Sequence, residues 1–199
     1  MTRRRETPAE GRARRGAVED PATVLDAAAR FLEVRPRSIE EVRRRLREAG
    51  YRADLVDGAI ERLADLGMLD DEAFARAWVE SRDRARPRGE RALRSELRRK
   101  GVSGALIAEV MGEREAASLE TGQAGDPASA GDRASSDSAD DVAAARLLAR
   151  RGGAAAREAD LRRRRAKAYA LLARHGFDAD VAGRALATWM AEAVPIAEE

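Results

Sequence analysis

Residues 67 to 110 read GMLDDEAFARAWVESRDRARPRGERALRSELRRKGVSGALIAEV, and this stretch decides the fold. Asp70 and Asp71 stand where a helix start leaves N–H groups unsatisfied, so a helix is expected to begin there with Phe74, Ala77 and Trp78 facing inward. Pro87 and Gly89 break that helix. Leu93 and Leu97 then recur four apart on a middle helix that closes at Lys100-Gly101-Val102. Ser103 is placed to cap a short third helix carrying Leu106, Ile107 and Val110.

The closing device recurs on either side. Leu46 precedes Gly50-Tyr51, Leu97 precedes Gly101-Val102 and Leu172 precedes Gly176-Phe177, each leucine four residues before its glycine. Glycine takes the left-handed conformation at a helix C-terminus without steric penalty, and the apolar residue after it packs back on the last turn. Gly50 and Gly101 are 51 residues apart and Gly101 and Gly176 are 75 apart; an insert of about 25 residues accounts for the difference. A period near 50 residues predicts a stacked helical array.

The first repeat uses the same grammar. Val24 to Val34 suits a short helix, and Ser38 with Glu41 forms a capping box for a second helix bearing Ile39, Val42 and Leu46. Asp54 is placed to cap a third, whose stripe comprises Leu55, Val56, Ala59, Ile60, Leu63 and Leu66. The third repeat offers Leu147, Leu148, Leu161, Ala168 and Leu172, with Asp178 capping a last helix that carries Val181, Ala185 and Trp189. The fold class expected is all-α: three tandem three-helix repeats in an elongated, curved array. The divisions are a disordered basic tail over 1–20, repeat one over 21–69, repeat two over 70–112, a disordered acidic Gly/Ser/Asp-rich insert over 113–140, and repeat three over 141–199.

Composition agrees with helices and narrows the chemistry. Of 199 residues, 44% are hydrophobic but only seven are aromatic, while 37% are charged. The chain has no cysteine and a single histidine, which argues against disulfides and transition-metal sites and fits a reducing cytosol. No apolar run approaches the roughly 20 residues that cross a bilayer. Arg3, Arg4 and Arg5 have no apolar stretch behind them, so they do not read as a secretory signal. His175 sits beside a helix-terminal glycine, where the negative end of the helix dipole gives it a structural role, and no phosphate-cradling glycine loop is present. The chain is expected to bind rather than catalyse, with no cofactor and no metal.

Charge is uneven. The net charge is +2, yet residues 113–140 hold seven acids against two arginines, while Glu80 to Lys100 hold nine bases against four acids. Arg91, Arg94 and Arg98 share one helical face, apart from Leu93 and Leu97. Arg43 and Arg47 repeat the pattern on the middle helix of repeat one, and Arg162, Arg163 and Lys167 on that of repeat three. Arg82, Arg84, Arg86 and Arg88 line the bend before Gly89. These twelve residues are the candidate contacts for a polyanion or acidic protein.

The order Asp70, Asp71, Phe74, Ala75, Val79, Arg82, then Gly89, Leu93, Leu97, Lys100 and Gly101 resembles the central signature of the RecX family. Weaker flanking matches run from about Leu25 to Met190. The resemblance implies a small, all-helical, cytoplasmic regulator without enzymatic activity. Its expected partners are RecA and the RecA–DNA filament, in DNA repair and the SOS response, with single- or double-stranded DNA as a further candidate and the chain itself a monomer. It implies inhibition of recombinase and ATPase activity. The alternative is a helical nucleic-acid-binding protein or transcription regulator acting without RecA.

Overall fold

Short polar residues set the helix starts, and apolar residues at helical spacing set what each helix buries. The computed structural model describes residues 7–123 and 138–192, and there every regular element is a helix. Thr7 and Glu10 form a capping box for α1 (Pro8–Gly16), and Asp20 accepts from the N–H groups of Ala22 and Thr23 to start α2 (Pro21–Leu32). Ser38 and Glu41 form the expected box for α3 (Ile39–Ala49). After α4 (Ala53–Asp65), Asp70 accepts from the N–H of Glu72 and Ala73 at 2.8 and 3.1 Å to begin α5 (Asp71–Ala85). Then come α6 (Glu90–Arg99), α7 (Gly104–Gln123) and α8 (Ala139–Arg151), the last opened by a Ser138/Asp141 box. A one-turn α9 (Gly153–Ala156) precedes α10 (Leu161–Arg174), which Asp160 caps, and α11 (Ala179–Glu192), where Asp178 accepts from Val181 N–H at 2.9 Å. Thus α2–α4, α5–α7 and α8–α11 are three tandem helical repeats, the third with the extra turn α9.

The glycine device is present at each repeat. Gly50, Gly101 and Gly176 have φ of 104°, 82° and 86°, and the N–H of Tyr51 and of Phe177 returns to the carbonyls of Leu46 and Leu172. Close packing adds a second demand: a Cβ on Gly101 would lie 2.3 Å from Glu40 Cβ, and one on Gly176 would lie 2.4 Å from Ala92 Cβ.

The chain forms two compact units, Met1–Ala75 with Arg99–Ser103, and Arg76–Arg98 with Gly104–Glu199. The first buries Val24, Ala28, Val42, Leu46, Val56, Ile60 and Leu63 in one core. The second buries Leu147, Leu148, Ala168, Leu172, Phe177, Val181 and Leu186, with Trp189 packed against them. The first unit reaches beyond the expected boundary at residue 69 for a polar reason. Asp71 Oδ1 accepts from Ile39 N–H at 2.9 Å, Ser38 Oγ donates to the Lys100 carbonyl at 2.5 Å, and Lys100 Nζ pairs with Glu41 at 3.0 Å. The ends of α5 and α6 are therefore tied to the start of α3.

Several sequence expectations need correction. Residues 8–16, placed in a disordered tail, form α1, because the Thr7 cap and a bond from Arg15 Nε to the Ala49 carbonyl at 2.5 Å supply what apolar burial does not. Residues 113–123, placed in a disordered insert, extend α7, so the short third helix of repeat two is 20 residues long. Residues 139 and 140 likewise belong to α8. The remainder of those two expectations, over 1–6 and 124–137, lies outside the described residues. Asp54 does not cap α4: the N-cap is Arg52, which makes no side-chain cap, and Asp54 pairs with it from the first turn. Leu66 and Leu161 are 51% and 56% exposed, at the ends of their helices rather than in the core.

Candidate partner-binding surfaces

A surface arginine can hold a partner's carboxylate or phosphate only if its own chain has not already claimed the guanidinium. On α3, Arg43 is claimed: Nε lies 3.2 Å from Asp57 and Nη1 3.0 Å from Glu40. Hydrogen bonding to Glu40, with a further bond to Asp57, outweighs partial desolvation and raises its pKa. Arg47 also reaches Asp57, at 3.4 Å. The two candidates of repeat one thus converge on one aspartate of α4, while their neighbours Arg44 and Arg45 are exposed.

The basic bend is organised by Glu96. Its side chain, 12% exposed, accepts from Trp78 Nε1 at 2.9 Å and from Arg82 Nε at 2.7 Å, and lies 3.6 Å from Arg88 Nε. Arg82 also stacks over the Trp78 ring, 4.0 Å from its centroid. Arg84 pairs with Glu80, one turn back, and Arg94 with Glu90 in the same way. That leaves Arg86, Arg91 and Arg98 exposed and without an ion pair among the described residues. The face shared by Arg91, Arg94 and Arg98 is real, but only its two outer members are uncommitted.

On α10, Arg162 and Arg163 are exposed with no ion pair among the described residues; Asp160 accepts from their backbone N–H groups, not their side chains. Lys167 pairs with Glu158 at 2.5 Å. His175 ends this helix with Nδ1 2.8 Å from the Leu171 carbonyl. Desolvation lowers its pKa, and the nearby charges of Arg88, Arg151 and Arg174 push the same way against that hydrogen bond.

A cluster in residues assigned to the insert escaped the sequence reading. Arg114, with a side chain 7% exposed, grips Asp83 through Nε at 2.8 Å and Nη2 at 3.0 Å, and reaches Asp140 through Nη1 at 2.7 Å. Asp140 in turn accepts from the Glu90 N–H at the start of α6. Desolvation of the Asp140 carboxyl outweighs the pull of Arg114 and raises its pKa. One arginine therefore joins α5, α7 and α8, and through Asp140 holds the start of α6. The Ser138/Asp141 box, legible as a serine three before an acid, was the available signal.

Comparison with known proteins agrees with this architecture. Residues 25–63 match the RecX first three-helix domain and residues 70–111 the RecX second three-helix domain. The chain is 37% identical over 92 residues to the regulatory protein RecX of Pelodictyon phaeoclathratiforme, covering 46% of this chain and 58% of that protein. It is 40% identical over 87 residues to the regulatory protein RecX of Mycobacterium sp. (strain KMS), covering 44% and 48%. For these two relatives, then, the match spans about half of each protein. The crystal structure of RecX from Lactobacillus salivarius shares the fold, with a TM-score of 0.61 at 18% identity over 87% of this chain and 98% of that one. A second crystal structure, of regulatory protein RecX, gives 0.64 at 18% identity over 82% and 71%. With both models matched in their order and the repeats, caps and glycines that build them in place, the chain carries the two three-helix domains of the RecX family.

Proposed function

We propose that this chain binds RecA and its nucleoprotein filament and lowers recombinase and ATPase activity, acting in the cytoplasm as a non-enzymatic regulator of DNA repair and the SOS response. The pair of RecX domains over 25–63 and 70–111 carries the reading. The twelve basic candidates sort within it by what they already hold. Arg86, Arg91, Arg98, Arg162 and Arg163 are the contacts proposed for the filament, since each presents a guanidinium that no described carboxylate neutralises. Arg43, Arg47, Arg82, Arg84, Arg88, Arg94 and Lys167 serve the fold first, each within 4 Å of a carboxylate of this chain. Guanidinium groups suit both DNA phosphates and acidic side chains, and a RecA filament exposes both kinds of anion. No described helix is long and apolar enough to cross a membrane.

The test is a salt titration of binding to the RecA–single-strand filament, to naked single strand and to duplex, run beside RecA-driven strand exchange. Preference for the filament with slowed exchange is expected. Equal binding to naked DNA, with exchange untouched, would establish the alternative: a helical nucleic-acid-binding protein that acts without RecA.

A further inference from the structure

A second basic feature lies in the first unit, at the seam that α1 makes with α2 and α3. A groove of about 660 Å³ opens there, walled by Arg12, Arg15, Arg30 and Arg45 and floored by Phe31, Leu46 and Tyr51. Glu48 is the one acid among the described residues of its lining. Arg15 is held by the Ala49 carbonyl, but Arg12, Arg30 and Arg45 are exposed and make no ion pair among the described residues. The groove is built into the fold. Gly50 allows α1 this close, since a Cβ there would lie 2.9 Å from the Arg12 carbonyl oxygen. The wall contributed by α1 precedes the residues matched by the RecX domains.

We infer that this groove docks an acidic amphipathic peptide segment of a partner protein, with an apolar side chain on the Phe31–Leu46–Tyr51 floor and carboxylates on Arg12, Arg30 and Arg45. Charge complementarity selects an anion, and guanidinium forks match carboxylates. The floor selects a peptide over a nucleic-acid strand. Strand binding relies on open aromatic faces for base stacking, and Phe31 already carries Arg37 at 4.2 Å and Arg45 at 5.9 Å from its ring centroid. What remains is an aliphatic and ring-edge surface between cations, which suits the apolar stripe of a helix flanked by acids. The groove's role does not rest on RecA regulation.

Fluorescence anisotropy with the full chain tests it, using a labelled peptide of alternating glutamate and leucine blocks, its glutamine-for-glutamate counterpart, and an oligothymidylate of equal charge. The acidic peptide is expected to bind. Its affinity should fall by about tenfold or more in the Arg12→Gln, Arg30→Gln, Arg45→Gln variant, as for loss of several charge-assisted contacts. The glutamine peptide should bind far more weakly. Arg45→Glu alone, on an exposed position of α3, should still weaken the acidic peptide severalfold, and it decides the matter if the triple variant loses helicity. Unchanged affinity in Arg45→Glu, equal binding of the glutamine peptide, or displacement of the peptide by oligothymidylate at lower concentration would each overturn the inference. RecA-filament binding by the same variants is a separate readout, so either reading can fail alone.

Discussion

Arg82 and Arg88 converge on a single, nearly buried carboxylate, Glu96, whereas Arg162 and Arg163 in the first turn of α10 meet no acid among the described residues. Both stretches look alike as strings of arginine. The difference lies in the acids around them. Of the four acids between Glu80 and Lys100, Glu80 engages Arg84, Asp83 engages Arg114, Glu90 engages Arg94 and Glu96 engages Arg82 and Arg88. Near α10, Glu158 takes Lys167 and Asp160 is occupied by the helix cap, so Arg162 and Arg163 remain available. Charge density therefore misjudges a binding surface. What counts is charge left over after the fold has used its share.

The comparison breaks first if the committed arginines are not structural. Arg114→Met should cost about 3–5 kcal/mol, because it leaves Asp83 and Asp140 without their buried partner. Urea denaturation measures this, and a loss below about 1 kcal/mol would mean the cluster is ornamental. Gly101→Val should come next, at more than about 1 kcal/mol, because φ is 82° and the added Cβ meets Glu40. An unchanged denaturation midpoint would remove the left-handed helix end from the account.

A smaller effect sharpens the same contrast through pH. Burial pushes the Glu41 carboxyl up, but hydrogen bonds from Lys100, Arg35 and the Ser38 N–H outweigh it and hold the pKa below its ordinary value. A group depressed on folding stabilises the protein above its unfolded pKa and loses that contribution as pH falls through the folded one. Wild type and Glu41→Gln should accordingly differ most in stability near neutral pH and converge on acidification below the ordinary glutamate range. A gap that widens in acid would contradict the assignment. At the small end, Arg162→Gln with Arg163→Gln should change stability by no more than about 0.5 kcal/mol, since neither side chain supports a described contact.

The repeats were legible because their signals are local. Ser38 with Glu41, Asp70 before Phe74, and the glycines at 50, 101 and 176 each act within a few residues of themselves. The commitments of the arginines were not legible, because they depend on distant partners: Arg82 meets an acid 14 residues away and Arg114 one 31 residues away. The same reason hid α1. Residues 8–16 have little to bury, and the helix is held by Arg15 reaching a carbonyl 34 residues on. Weighing apolar content alone assigned that segment, and the flanks of the acidic insert, to disorder. Arg91, Arg94 and Arg98 show the intermediate case. Helical periodicity placed them on one face, and only the structure separated Arg94, paired with Glu90, from its two exposed neighbours.

The central claim is that uncommitted arginines, not arginines in general, bind the RecA filament. Two matched variants test it directly, each removing two positive charges: Arg91→Gln with Arg98→Gln, and Arg43→Gln with Arg47→Gln. Titrated against RecA filaments on single-stranded DNA at fixed salt, the first should weaken binding by about tenfold and the second by less than about twofold. Equal weakening by the two would show that bulk charge, rather than the charge the fold leaves free, governs the interaction.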